Sequence, residues 1–288
     1  MKFHTYQEAL RDATERLRAA GVPSPEWDAR LLAAHLIHCG HMDIPLSQAP
    51  IPGFDVAYGA LVGRREAREP LQHILGAAWF GPLELEVGPG VFIPRPETEV
   101  LAEWGVRCLR QSPSLHGDTP PRVVDLCTGS GALALYVAHY VPQAQVWGVE
   151  LSDAALAYTQ RNAAQAHVEV VHGDATDPRL LSELDGTVDL VLTNPPYVPE
   201  TPDLDPEVYH DPHEAVFGGA DGMETITAMI PTIARLLRPG GQLGIEHDDE
   251  TSELVQDALL SHGGFEHVEA MRDLTGTARF VTAVRGVQ

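Results

Sequence analysis

Asn194-Pro195-Pro196-Tyr197 follows an apolar run, Val188-Asp189-Leu190-Val191-Leu192-Thr193. Two consecutive prolines fix φ and leave carbonyls with no competing N–H. The Asn194 side-chain oxygen and the Pro195 carbonyl then form a pair of acceptors for the two hydrogens of a planar NH2 group. Tyr197 can lie against the face of that group. A nitrogen of this kind, in an amide or on a nucleobase, has a delocalised lone pair and is a poor nucleophile. Acceptors on its hydrogens raise its electron density and hold it in line with an electrophilic carbon. Asn194, Pro195 and Tyr197 are therefore the candidate catalytic residues, and Asn194, Pro195, Pro196 and Tyr197 the candidate substrate-binding set. Pro-Pro alone would read as a strand-ending turn; its place after a strand, with a second motif upstream, points to chemistry.

That second motif is Val123-Val124-Asp125-Leu126 followed by Cys127-Thr128-Gly129-Ser130-Gly131-Ala132. Strand, tight glycine turn and helix start bring backbone N–H groups and a positive helix end to a bound ligand. Gly129 and Gly131 let the main chain approach where a side chain would block it. Glu150 closes the next strand, 19 residues after Gly131, where a carboxylate can accept from both ribose hydroxyls. The loop also satisfies a loose dinucleotide pattern, so by itself it does not name the ligand. Nothing adjacent activates Cys127 as a nucleophile, and it reads as a small turn residue.

These motifs need a frame. Strands are expected at Val123–Leu126, Val146–Glu150, Val168–His172, Leu190–Thr193, Gln242–Glu246, Phe265–Met271 and Phe280–Val284. Helices are expected at about 131–140, 152–165, 222–237 and 250–262, with an earlier one from Glu97 to Leu109. Strands separated by helices imply right-handed crossovers and a mostly parallel, doubly wound sheet. The short Arg272–Arg279 connection predicts an antiparallel hairpin at one edge. Upstream, Trp79 to Val87 alternates around Gly81-Pro82 as a hairpin, and 111–121 reads as a loop. The first 70 residues read as helices: a capping box at Thr5–Glu8, an N-cap at Ser24 before Pro25, and a third helix from Asp55 to before Pro70. The boundaries follow: a helical domain over 1–72, a hairpin linker over 73–93 and the α/β domain over 94–288.

The 288 residues carry a formal net charge of −22, which opposes contact with free nucleic acid or anionic lipid. Residues 1–85 are near neutral, with 8 basic and 10 acidic side chains; the acidity lies beyond them. Between Arg179 and Arg235 there is no Lys or Arg against eleven acids, among them Glu200, Asp203, Asp205, Glu207, Asp211 and Glu214. That stretch reads either as a solvated face or as a docking surface for a basic partner. No run is apolar for the length of a membrane span, and the N-terminus lacks a signal-peptide core. Three widely spaced cysteines suit a reducing, cytoplasmic setting and form neither a disulfide framework nor a CxxC metal site. His35, His38 and His41 read as surface or core histidines, and no metal is expected.

Taken together the motifs resemble class I S-adenosylmethionine-dependent methyltransferases, and within them the HemK/PrmC family of release-factor glutamine methyltransferases. Glu69-Pro70-Leu71-Gln72-His73-Ile74-Leu75-Gly76, Phe92-Ile93-Pro94-Arg95-Pro96-Glu97-Thr98-Glu99, Asp125 to Gly131, Asn194 to Tyr197 and Ile245-Glu246-His247 carry the resemblance, which spans nearly the whole chain. It implies a Rossmann-like seven-stranded sheet with an antiparallel C-terminal hairpin behind a small helical, substrate-recognising domain. It implies S-adenosylmethionine as methyl donor, leaving S-adenosylhomocysteine, held by Cys127, Thr128, Gly129, Ser130, Gly131, Glu150, Asp174, Ala175 and Asn194, with Arg95, Glu97 and Thr98. The substrate would be the glutamine of the Gly-Gly-Gln loop in basic peptide chain release factors, modified in the cytoplasm by a monomer with no direct nucleic-acid contact. Where the family often has Gly, this chain has Cys127, which fits if φ is negative there. Ala175 stands where an aromatic could stack on adenine.

An adenine N6-methyltransferase of DNA or RNA would use the same motif chemistry. It must neutralise phosphates and flip a base, and neither the acidic surroundings of Asn194 nor the near-neutral helical domain serves that. A nicotinamide-dependent dehydrogenase accounts for the glycine loop but not for Asn194 to Tyr197, and a non-enzymatic binding module accounts for neither.

Overall fold

The computed structural model describes residues 2–112, 119–201 and 206–287. Most of the loop expected over 111–121, and both Asp203 and Asp205, lie outside the described residues. The chain divides into two compact units: Met1–Ala77 with Asp205–His210, and Ala78–Leu204 with Asp211–Gln288.

The first unit is helical: α1 Tyr6–Ala19, α2 Pro25–Ile37, α3 Phe54–Glu66 and the short α4 Leu71–Leu75. Thr5 Oγ1 accepts the Glu8 N–H at 3.2 Å, as the capping box requires, while Glu8 Oε2 accepts from the His4 N–H at 2.8 Å rather than from Thr5. Ser24 does not cap α2 through its side chain; only its carbonyl takes part, accepting the Asp28 N–H at 2.9 Å. Leu17, Leu32, Phe54 and Tyr58 fill the core. At its edge the buried Arg65 donates to Asp28 Oδ2 at 2.7 Å and to Glu207 Oε1 at 2.7 Å. Desolvation nevertheless keeps the Asp28 carboxyl above its ordinary range.

The second unit opens with a hairpin, β1 Ala77–Phe80 and β2 Leu83–Glu86, turning at Gly81-Pro82 as expected. Next come α5 Thr98–Gln111, β3 Arg122–Leu126, α6 Ala132–Tyr140, β4 Gln145–Glu150, α7 Asp153–Ala163, β5 Val168–His172 and β6 Val188–Thr193. The chain continues with α8 His213–Val216, α9 Glu224–Leu236, β7 Leu237–Glu246, α10 Ser252–His262, β8 Phe265–Arg272 and β9 Ala278–Arg285. The seven strands run in the order β5-β4-β3-β6-β7-β9-β8. The first five of these are parallel, and β9 is antiparallel to both β7 and β8, which makes the predicted edge hairpin. β7 starts five residues earlier than the apolar pattern indicated, because Leu237 pairs with Val188 before an irregularity shifts the register to Leu190 with Gln242.

Every residue of β6 is buried, the signature of a strand covered on both faces. One cover is α5. A Cβ on Gly105 would lie 2.9 Å from Leu192 Cδ1, so only glycine lets α5 approach β6 this closely. That contact matters for chemistry, because α5 begins at Thr98. The switch in strand order falls between β3 and β6, where Leu126 pairs with Thr193. The loops starting at Cys127 and Asn194 therefore leave the sheet side by side, at the place where open α/β sheets bind ligands.

Candidate active site

A cavity of about 480 Å³ opens at this switch point, within the usual range for small-molecule sites. Its wall draws on five segments: Phe92, Pro94 and Thr98; Cys127 to Ser130 with Ala132 and Leu133; Val149 to Ser152; Gly173 to Thr176; and Asn194 with Pro196. Glu214 and Ala215 close one side.

The glycine loop is fastened from below. Buried Asp125 accepts the Thr128 hydroxyl at 2.5 Å and the Ala134 N–H at 3.0 Å, both on Oδ2. Desolvation, with Glu150 adding repulsion, raises its carboxyl to about 7. Thr159 donates to the Gly129 carbonyl at 2.6 Å, and Asn162 to the Ser130 carbonyl at 2.9 Å. Gly131 takes φ +90°, and a Cβ there would meet Leu135 Cδ1 at 3.0 Å. Cys127 corrects the expectation of a negative φ: it sits at +60°, in the left-handed region that glycine enters freely. The turn is dictated by Thr128, whose N–H bonds the Val149 carbonyl at 2.9 Å while its own carbonyl takes the Gly131 N–H at 2.8 Å. Burial pushes the Cys127 thiol far up, so it stays protonated, in keeping with a turn residue rather than a nucleophile.

Glu150, almost fully buried, lies on the cavity wall. Its Oε2 accepts the Gly129 N–H and its Oε1 the Ser152 N–H, each at 2.8 Å, leaving further lone pairs on both oxygens. Asp174 uses Oδ1 to accept from the Thr176 N–H and hydroxyl at 2.8 and 2.7 Å, which folds its loop into an Asx turn. Phe92, Leu151 and Ala175 supply apolar wall nearby.

At the other end, Asn194 Nδ2 donates to Thr98 Oγ1 at 3.3 Å. Its amide nitrogen is thus committed to the protein, and Oδ1 is presented as acceptor. Pro196 is in the cavity wall with Asn194, whereas Pro195 and Tyr197 do not line this cavity. The Tyr197 hydroxyl donates to Glu246 Oε1 at 3.1 Å, at the end of β7. Thr98 is in the wall; Arg95 and Glu97 are not. Arg95 instead pairs with buried Asp211 at 2.7 Å and lies 5.0 Å from the Phe92 ring centroid. It holds the segment before α5 in shape.

Asp125, Glu246, Thr159 and Asn162 support the site without being among the candidate site residues; Asp125 and Glu246 fall within quoted motifs, while Thr159 and Asn162, on α7, carry no sequence signal. The acidic stretch also looks different in three dimensions. Glu207 is answered by Arg65 and Arg68, and Asp211 by Arg95. Part of that charge is matched internally by residues distant in the chain. Among the described residues, no cluster of three or more His, Cys, Asp or Glu side chains is arranged to hold a metal, and no helix is long and apolar enough to cross a membrane.

Residues 123–208 match the model of a methyltransferase domain. The fold is also that of a solved methyltransferase from Pyrococcus furiosus, with a TM-score of 0.51 at 18% identity over 81% of this chain and 100% of that one. Sheet order, glycine loop and switch-point cavity together define an α/β methyltransferase, a class whose methyl donor is S-adenosylmethionine. Residues 8–76 match the PrmC N-terminal domain model, and the chain is 56% identical to release factor glutamine methyltransferase of Corynebacterium glutamicum over 97% of its own length and 98% of the relative's. The chain belongs to the release factor glutamine methyltransferase family. It is also 40% identical, over 92% of its length and 91% of the relative's, to a 4-amino-L-phenylalanine/4-methylamino-L-phenylalanine methyltransferase of Streptomyces pristinaespiralis. An arylamine nitrogen shares with an amide nitrogen a lone pair conjugated to a π system.

Proposed function

We propose that this protein methylates the side-chain amide nitrogen of the glutamine in the Gly-Gly-Gln motif of peptide chain release factors, in the cytoplasm, with the helical domain recognising the substrate protein. The observation that carries the reading is the Asn194–Thr98 hydrogen bond, which turns the Asn194 carbonyl oxygen into a fixed acceptor beside the cavity.

The cavity's donor set fits S-adenosylmethionine. Open space and a positive φ at Gly129 leave room for main chain to lie against a ligand. The Glu150 carboxylate suits ribose hydroxyls, Asp174 the adenine edge, and Leu151 and Ala175 an apolar base face; Thr128 to Gly131 face the methionine end. When bound, the group supplies a methyl carbon made electrophilic by its sulfonium.

The chain's own residues then act on the amide. Asn194 Oδ1 and the Pro195 carbonyl accept its two hydrogens and hold its plane. Positive charge develops on the nitrogen as the new bond forms, and acceptors already in place stabilise it without reorganising. Their contribution therefore belongs to the transition state and appears in kcat. No strong base is needed, because the alkylated amide nitrogen loses its proton readily.

Mass spectrometry of a release factor incubated with the enzyme and S-adenosylmethionine tests this. A gain of one methyl on the Gly-Gly-Gln glutamine is the expected result. Turnover of 4-aminophenylalanine with none on the release factor would replace the substrate; methylation of duplex adenine alone would restore the nucleic-acid reading.

A further inference from the structure

Glu246 ends β7 with a relative exposure of 2%, and its Oε2 has no hydrogen-bond partner. A buried carboxylate of this kind is costly unless the surroundings use it. Two of its neighbours belong to the site: the Tyr197 hydroxyl, which donates to Oε1 at 3.1 Å, and Thr98, whose hydroxyl is near enough to favour the ionised carboxylate. Thr98 in turn accepts from Asn194 Nδ2 at 3.3 Å.

A threonine hydroxyl has one hydrogen. If that hydrogen is turned to Glu246, only lone pairs face Asn194, and Asn194 must present its NH2 to Thr98. Its carbonyl oxygen is then left for the substrate. With a donor in place of the carboxylate, Thr98 becomes free to donate to Asn194, and the amide can turn over, presenting NH2 to a substrate that also brings NH2. We propose that Glu246 is a positioning residue for methyl transfer: acting through Thr98 it sets which way round the Asn194 amide lies, and through Tyr197 it anchors the other end of the same tetrapeptide.

This rests on the proposed activity, and it has a pH consequence. Burial lifts the Glu246 carboxyl to about 7, with Glu97 adding to the rise and Thr98, Tyr197 and Arg279 of β9 opposing it. Neighbouring His247 is held below its ordinary value by its own burial and by Arg279. Protonated Glu246 can donate to Thr98, so kcat should fall as pH drops through neutrality.

The test compares wild type with Glu246→Gln on a release factor, measuring kcat, KM and S-adenosylmethionine affinity across pH 6 to 8.5. Partners that orient metal-ligating side chains matter by about 10- to 100-fold, and the same scale is expected for a partner that orients Asn194. The expected result is a kcat lower by that factor at pH 8, an acidic limb flattened in the variant, and cofactor affinity within about twofold. Thr98→Ser should restore what Thr98→Val loses, since only the hydroxyl is required; this pair decides the matter if Glu246→Gln fails to fold. The side-chain NH2 signals of Asn194 in ¹⁵N-labelled protein should shift in Glu246→Gln without substrate present. Wild-type kcat and an unchanged acidic limb in Glu246→Gln, or equal kcat for Thr98→Ser and Thr98→Val, would overturn the proposal. A wild-type enzyme inactive on the release factor would instead overturn the substrate assignment.

Discussion

Glu150 accepts the Gly129 N–H at 2.8 Å, so the carboxylate that closes β4 is tied to the glycine loop that follows β3. The same group shapes the loop and faces the cavity. Glu150→Ala should weaken S-adenosylmethionine binding by about 1–3 kcal/mol, the scale of a charged hydrogen bond. Glu150→Gln keeps one acceptor and should lose less. Calorimetry on both variants checks the order.

Asn194→Ala should lower kcat by about two to three orders of magnitude, as for loss of one preorganised polar group, with cofactor affinity intact. Asn194→Asp keeps an acceptor oxygen and should retain more activity. Near-normal turnover in Asn194→Ala, in a steady-state assay on the release factor, would remove Asn194 from the mechanism.

Tyr197 now calls for a different expectation from the ring-stacking one. Its hydroxyl is a partner of buried Glu246, and the hydrogen bond is part of what keeps that carboxylate ionised. Tyr197→Phe should therefore move the acidic limb of the kcat profile upward, since removing a donor raises the carboxyl further. A profile superimposable on wild type would show that the hydroxyl has no part in the site's charge.

Asp125 offers a stability test. Its carboxyl stands near 7 in the folded chain and about 4 unfolded. The folded state binds the proton more tightly, so this contribution to stability is fully present below about pH 4 and is lost as pH rises through about 7. Asp125→Asn removes the dependence. The stability of the variant relative to wild type should rise between pH 5.5 and 8 in urea titrations, and a flat difference would place the titration elsewhere.

Arg65 is a buried cation with two carboxylates. Arg65→Met leaves Asp28 buried without its partner and should destabilise the helical unit by about 3–5 kcal/mol, whereas Glu207→Gln, at a half-exposed partner, should cost less. Thermal melts of the full chain distinguish the two.

The architecture was legible because β3, β4 and β6 are short apolar runs bounded by glycine or proline, and because the helices between them fix the handedness of each crossover. The two motifs were legible as neighbours because each follows an apolar run, β3 or β6, and those two strands pair at the switch point. Glu246 was not, because nothing local says which hydroxyl a buried carboxyl will meet; Thr98 and Asn194 are 96 residues apart. The acidic stretch meets the same limit. Counting along the chain omits Arg65, 142 residues from Glu207. Cys127 shows a third limit: a residue with a side chain can occupy a glycine's conformation when the backbone hydrogen bonds of the next residue, Thr128, demand it.

The Arg65–Glu207 contact also has an order in time. A ribosome releases α1 to α4 long before it has made residue 207, so during synthesis Arg65 is left with one of its two carboxylates. The first unit to emerge is thus among the last to be completed, waiting until β6 and the tetrapeptide after it have been translated. A fragment cut after Ala77 would reproduce that half-finished state permanently.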